Sequence, residues 1–378
     1  MEVQAPAKIL CHMCQMTDPR RHNRIHKLSD VITIAVFAVI AGAEGWADVE
    51  AYGRRKLKWL KTFLDLRFGI PTHDTFGRVF ARIKPEEFER CFMDWMSSLV
   101  ELSGGKLVAL DGKSLRRSFE HGWDKSGMAH MVSAFVAANR MVFAQVKTEG
   151  KGHELDAIEK LLKLLDIQGS VVTIDALGCN KTVIEMILDG QADYVLQVKE
   201  NQPTLHEKAK NLLDEMILEK FAGIEHDYYV EVNGDHGRIE TRRVWVVWNV
   251  KDLGPIAKEW PGLKSLVVVE STREMPGHTS VERRYYISSL GRRVRAKRMA
   301  GYIRGHWSVE NNLHWQLDIS FNEDQRRIRK GYGAENFSRL CRIALNLLKN
   351  EKTLKIGIAG KRKCCGWDDQ YLLKVVGG

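Results

Sequence analysis

The chain has 378 residues, 44% of them hydrophobic and 28% charged, a globular composition too long for one ordinary domain. Its longest apolar run, Val31 to Ala43, contains Thr33 and is bounded by Asp30 and Glu44. That run is too short to cross a bilayer and reads as a buried helix, so no membrane partner is expected. The N-terminus lacks the basic-apolar-small pattern of a secretion signal, which points to the cytoplasm. The net charge of +10 is local. Between Arg292 and Lys363 stand 18 Lys or Arg against 6 Asp or Glu, leaving 40 against 42 elsewhere. Such a stretch suits a phosphate-backbone partner, although a solvated basic helical surface gives the same count. Seven cysteines, at 11, 14, 91, 179, 341, 364 and 365, argue against a disulfide framework. Cys364-Cys365 has no spacer, so the pair is not expected to share zinc with Cys11-His12-Met13-Cys14.

Residues 1–100 read as an all-α N-terminal domain. Leu28 to Ile40 is a helix with Ser29 or Asp30 placed to cap it. Trp59, Leu60, Phe63 and Leu64 repeat at helical spacing until Gly69-Ile70-Pro71 breaks the chain. Asp74 and Thr75 can cap the next helix, and Pro85-Glu86-Glu87 opens another. Leu107 to Leu110 is a short apolar strand stopped at Asp111-Gly112. Met131 to Ala138 and Met141 to Val146 form a hairpin about Asn139-Arg140. A helix over His153 to Leu165 precedes a second apolar strand, Val171 to Ile174, stopped by Asp175. A helix near Lys181 to Leu188 and a strand over Asp193 to Val198 follow. The order β-β-β-α-β-α-β predicts an α/β, ribonuclease-H-like core over 101–350: a mixed sheet with helices on both faces. Alternating strands at Tyr228–Val232, Arg242–Val250, Ser265–Glu270 and Arg284–Ile287 make a β-rich insertion over about 225–290. Helical periodicity resumes at Val294, a further helix runs from about Glu335 to Lys349, and 351–378 reads as a C-terminal tail.

Asp111 and Asp175 each end a short buried strand, and in the expected topology those strands are neighbours. Two carboxylates brought together repel unless a cation neutralises them. Mg²⁺ suits an all-oxygen set that also takes phosphate oxygens. Two such ions activate a water or 3′-hydroxyl on one side of a phosphate and stabilise the leaving oxygen on the other. Glu310, on the helix after the insertion, is the candidate third carboxylate, with Asp318, Glu323 and Asp324 as competitors. Asp-Gly after a strand is also a common turn, and a helical Glu among basic residues is commonly a surface ion pair. Arg304, His306 and Trp307 are candidates for phosphate contact, proton handling and stacking on an unpaired base. Lys113 and Lys199 are candidates for the scissile phosphate, and Arg326, Arg327 and Arg329 for a backbone track. His314 and Trp315 are expected in the core.

These residues carry a resemblance. Asp18-Pro19-Arg20, His26-Lys-Leu-Ser-Asp30, Ala41-Gly-Ala43 with Trp46, and Gly69-Ile-Pro-Thr-His-Asp-Thr-Phe76 begin it. Ala109-Leu-Asp-Gly-Lys-Ser114, Thr173-Ile-Asp-Ala-Leu-Gly-Cys179, Asp193-Tyr-Val195 and Lys199-Glu-Asn-Gln202 continue it. Arg304-Gly-His-Trp307, Val309-Glu-Asn311, Leu313-His-Trp-Gln-Leu-Asp318 and Phe321-Asn-Glu-Asp324 close it. In this order they resemble the H-repeat-associated (Rhs-linked) insertion-sequence transposases of the DDE superfamily, over nearly the full length. The resemblance implies metal-dependent DNA cleavage and strand transfer, with Asp111, Asp175 and Glu310 as catalytic and metal-binding triad. It departs from the wider superfamily, whose signature places Tyr, Arg and Lys where Ile303, His306 and Leu317 stand. Tyr302 and Arg304 are close but off register. His153 stands where the group usually has Asn.

The expected cofactor is Mg²⁺ or Mn²⁺, as two ions. The expected partners are duplex DNA, as element ends and as target, and a second copy of the chain on that DNA, at the nucleoid. Two other readings share the residues: a nuclease of the same fold, and an inactive DNA-binding remnant. No glycine-rich phosphate loop points to a nucleotide enzyme.

Overall fold

The fold is that of a computed structural model, which describes residues 12, 15–21, 24–99, 106–119, 128–148, 152–235 and 238–377. The Cys11–Cys14 motif, apart from His12, lies outside them. Nine strands form a sheet in the order β3-β2-β1-β4-β5-β9-β8-β7-β6. They are β1 Leu107–Ser114, β2 His130–Val136, β3 Met141–Thr148, β4 Val171–Ile174, β5 Asp193–Val198, β6 His226–Asp235, β7 Arg238–Val247, β8 Ser265–Met275 and β9 His278–Ser288. The β2–β3 pair is antiparallel, while β1–β4 and β4–β5 are parallel. That is the ribonuclease-H-like order expected from the sequence. The insertion extends the same sheet, because β9 pairs antiparallel with β5. No described helix is long and apolar enough to cross a membrane.

The chain divides into two compact units. One gathers Met1–Glu101, Gly112–Ala157 and Val309–Gly378. Its helices are α1 Leu28–Ile40, α2 Trp46–Arg55, α3 His73–Phe80 and α4 Pro85–Leu99. The first turn of α5 Glu154–Leu164 belongs to it as well, and its later elements are described with the functional site. The caps differ from expectation. Helix α1 is preceded by Lys27, which gives no side-chain cap, and Asp30 is buried within its first turn, while α3 is capped by Thr72, which accepts from the Thr75 amide. Past Leu60 the Trp59–Leu64 repeat forms turns, not a continued helix.

The centre of this unit is the helix Gly333–Asn350, numbered α10 in chain order, which buries fifteen of its eighteen residues. It packs on α1, α3, α4 and β3. Strand β3 is the sheet edge, and Asn346 covers it: its side chain accepts from the Val142 amide at 3.0 Å and donates to the Val142 carbonyl at 2.7 Å. An open edge is thereby satisfied from within. Arg339 pairs with Glu89 of α4 and with Glu335, and Arg342 pairs with Glu323 at 3.0 Å, all fully buried or nearly so.

The other unit comprises Leu102–Asp111 and Ile158–Ser308. It holds β4 to β9, α6 Lys181–Asp189, α7 Pro203–Leu218 and most of α8 Ala296–Val309. The insertion strands run longer than their apolar alternation predicts. Charge pairing replaces apolar alternation at their outer ends: Arg243 and Arg283 lie opposite Glu270, and Arg273 opposite Glu240. Cross-strand opposite charges hold a ladder that hydrophobicity alone does not mark.

Candidate functional site

Parallel pairing of β1 with β4 matches Leu107 to Val171 and ends at Leu110 opposite Ile174. The next residue in each case is an aspartate, Asp111 and Asp175; β4 stops before Asp175, but β1 is not stopped at Asp111-Gly112 as the sequence suggested and runs on to Ser114. Asp175 keeps extended backbone (φ −62°, ψ 179°), so the strand direction carries through to it. Residues opposite one another on adjacent strands project to the same side, and such strands lie ~4.8 Å apart. The adjacency predicted from sequence is therefore present. Asp175 is exposed and Asp111 half-buried. The Asp175 carboxylate also accepts from the Leu177 amide at 3.2 Å, which starts a tight turn over Ala176–Gly178. A side chain at 178 would meet the Ile174 side chain at 2.3 Å, so only glycine closes this turn.

The loop after β5 is tied to that turn. Asn201 donates to the Ala176 carbonyl at 2.7 Å and Gln202 to that of Cys179 at 2.9 Å. These two amides hold the cleft beside Asp175, which Lys199, Glu200 and His206 also line. Lys199 is exposed there. The sequence marks Lys199-Glu-Asn-Gln202 as a motif but does not reveal that Asn201 and Gln202 act as braces.

His306 lies against β4, its Nδ1 3.2 Å from the Thr173 hydroxyl, and burial pushes its pKa down to about 4. It is a neutral hydrogen-bonding group near pH 7, not a phosphate-binding cation. Trp307 is 42% exposed and carries the Arg284 guanidinium 4.7 Å from its ring centre. Arg304 is exposed and paired with Glu231 of β6.

In the helical unit, α8 passes at Val309 into a π-turn over Glu310–His314, then α9 Trp315–Ile319. Glu310 opens this turn and is exposed. A π-turn releases carbonyls from the helical ladder. The Asn312 carbonyl is taken up by Lys349 of α10 at 2.6 Å. Of the competing acids, Glu323 is buried on Arg342, while Asp318 and Asp324 lie 2.7 Å and 3.6 Å from the Lys113 ammonium. Burial raises the Asp318 pKa against the opposing pull of Lys113. Lys113 is thus engaged within the protein, its side chain 9% exposed. His314 is half-buried, but Trp315, expected in the core, is 53% exposed.

A group the sequence does not reveal flanks the end of β1. His130 of β2 is buried, with Nδ1 2.8 Å from the Ser114 hydroxyl and Nε2 2.7 Å from the Glu154 carboxylate. A Cβ at Gly112 would meet His130 at 2.6 Å, so glycine after Asp111 makes room for this ring. Among the described residues no three His, Cys, Asp or Glu side chains form a ready metal cluster.

The basic stretch proves heterogeneous. Arg326 donates to the carbonyls of Glu44 (2.9 Å) and Phe321 (2.8 Å) and stacks 4.2 Å over Phe337. Arg329 donates to the Arg117 carbonyl at 3.3 Å and lies over Phe119. Arg327 is exposed. Arg339, Arg342, Lys361 and Arg362 are buried. The charge count thus overstates the basic surface. The segment 351–378, read as a tail, holds two further helices, α11 Ile358–Trp367 and α12 Asp369–Gly377, and Lys361 pairs with Glu351 at 3.2 Å.

The transposase DDE-domain family matches residues 102–347, and a family described as DDE_Tnp_1-associated matches residues 10–96. The chain belongs to the DDE-domain transposase family. It is 41% identical to YncI of Escherichia coli O157:H7, which bears a transposase name, over 97% of this chain and 94% of that one. It is 40% identical to YhhI of E. coli K12, named as an H repeat-associated transposase, over 98% of each chain. YbfL of the same strain is 40% identical over 98% of each. A cryo-EM structure of a piggyBac transposase synaptic complex with hairpin DNA matches with a TM-score of 0.41 at 12% identity, covering 98% of this chain and 79% of that one, too loosely to bear on the fold. Within the family, the departures at 303 and 317 have a structural counterpart. Ile303 and Leu317 are buried apolar positions, and a lysine at 317 would place an unpaired charge in the core.

Proposed function

We propose that the chain cuts duplex DNA at the ends of an insertion element and joins the freed 3′ end to target DNA, with Mg²⁺ or Mn²⁺ as cofactor. Two copies assemble on that DNA, at the nucleoid. The observation that carries this reading is the β1–β4 register, which sets Asp111 and Asp175 side by side past the last paired residues. The donor set fits the ion, since both groups are carboxylates at matching positions just past the last β1–β4 pair, and hard divalent cations take oxygen ligands. Asp111 and Asp175 would hold the metal. Glu310 is the proposed third carboxylate, on the ground of its place after the β insertion and its exposure on the π-turn. Two such ions, when bound, make the attacking hydroxyl acidic and neutralise charge on the phosphate.

Around them the protein positions. Lys199, exposed in the cleft with Asp175, meets a phosphate oxygen. Asn201 and Gln202 fix the turn that aims Asp175. His306 holds β4 through Thr173, and Trp307 offers its ring to an unpaired base once Arg284 moves to a phosphate.

The test is metal-dependent cleavage of a duplex carrying the element's ends. Asp111→Asn and Asp175→Asn should each lose cleavage by at least ~10³-fold, while duplex binding stays within about threefold because phosphate contacts lie elsewhere. Substantial cleavage by either variant would remove that residue from the chemistry. Glu310→Gln should match them; if Asp318→Asn does so instead, the third carboxylate is reassigned.

A further inference from the structure

Two of the motif stretches quoted above, Asp18-Pro19-Arg20 and Gly69–Phe76, take no part in the carboxylate site. They meet, fifty residues apart in sequence, in a cleft of the helical unit lined by Pro19, Arg20, Arg21, His26, Thr75, Arg78 and Arg82 among others. Among the described residues no carboxylate lines it. The floor is built rigidly. Arg20 is 8% exposed and grips Asp18 through Nε at 2.9 Å and Nη2 at 2.7 Å, and it donates to the His26 carbonyl. Asp18 is thereby neutralised, and Arg24 donates to the Arg20 carbonyl at 2.7 Å. Burial first, and the nearby Arg20, lower the His26 pKa.

The rim points outward. Arg21, Arg78 and Arg82 are all exposed. Among the described residues Arg78 bonds through Nε to the carbonyl of Asp74, at 3.2 Å, and Arg82 lies four residues on, in the turn past the end of α3. Like charges gathered on one rim repel one another unless an anion lies between them. Three rim guanidiniums exceed what one phosphate needs, so a polyanion fits better than a free phosphate ion. Guanidinium forks match phosphate geometry.

We propose that this cleft, on the DDE_Tnp_1-associated segment, is a second DNA-backbone site, in which Arg21, Arg78 and Arg82 take phosphates of a duplex and Arg20 holds the floor. It rests on the reading of the chain as a DNA-cutting enzyme but is independent of the carboxylates. The test is anisotropy of a labelled duplex with the full chain across a salt series. Arg21→Gln/Arg82→Gln should weaken binding on the order of 10–30-fold near 0.1 M salt and make the logarithmic salt slope shallower by about 1.8, two phosphates at ~0.9 each. Arg78→Gln alone should remove about half of that slope change. Arg54→Gln, an exposed arginine elsewhere in the unit, should change neither, and Asp111→Asn should keep the full slope. An unchanged slope in the double variant overturns the proposal and leaves the cleavage reading standing. If the variant instead loses only binding of a poly-glutamate peptide, the cleft belongs to a protein partner, which overturns it too. If the wild-type chain binds no duplex at all, both readings fall.

Discussion

Two arginine-rich regions of this molecule use the same side chain for opposite ends. Residues 292–363 hold the basic excess of the sequence, yet Arg339, Arg342, Lys361 and Arg362 are buried and Arg326 and Arg329 are tied to carbonyls and aromatic faces. The cleft about Arg21, Arg78 and Arg82 lies within residues 1–100, where 15 Lys or Arg stand against 12 Asp or Glu, a far smaller excess, and its rim faces solvent. Local charge density in a sequence is therefore not surface charge. A guanidinium that finds carboxylates and carbonyls inside the fold is spent on holding it together. One that lacks them is left for a ligand.

The contrast can be broken by substitution. Arg339→Met should cost the most, about 3–5 kcal/mol, because it leaves Glu89 buried without its partner. Urea unfolding of the purified chain measures this. A loss under about 1 kcal/mol would show that the buried pair is not what holds α10 against α4. The pH dependence is next. His306 and His314 have pKa values lowered by burial from about 6.5 to about 4 and about 3. The unfolded chain takes up these protons before the folded one does. Stability should therefore be level above pH 6.5 as far as these groups are concerned and fall as pH drops below it, His306 ceasing to contribute below about pH 4. His306→Asn should flatten part of that fall in urea midpoints taken between pH 7 and 5. An equally steep fall in the variant would mean that the His306 ring is not the group resisting protonation.

The smallest effect sharpens the comparison inside the basic stretch itself. Arg326→Gln loses two carbonyl contacts and a stacked ring and should destabilise by about 1–2 kcal/mol, whereas Arg327→Gln should stay within about 0.5 kcal/mol. Only Arg327→Gln should make the DNA salt slope shallower, by about 0.9. A stable Arg326→Gln chain with an equally reduced slope would return Arg326 to the DNA track.

Strand order and the adjacency of Asp111 and Asp175 were legible because their signals are local. Leu107–Leu110 and Val171–Ile174 are apolar runs of strand length, each followed by an aspartate, and the alternation of elements admits few topologies. The insertion's extent was half legible, since its outer strand pairs are held by Arg–Glu ladders instead of apolar alternation.

The sequence by itself determined which two central strands lead into Asp111 and Asp175, where the β insertion lies, and that a helix bearing Glu310 follows it. Only the tertiary structure decided which charges face inward, that His130 and Glu154 brace the end of β1, that Lys113 is held by Asp318, and that Arg20 and Arg78 share a cleft. The reason is physical. Secondary structure follows from the spacing of apolar residues along one segment, while the partner of a charged or hydrogen-bonding side chain is set by segments tens to hundreds of residues away. Lys113 and Asp318 stand 205 positions apart, and Arg339 and Glu89 stand 250 apart.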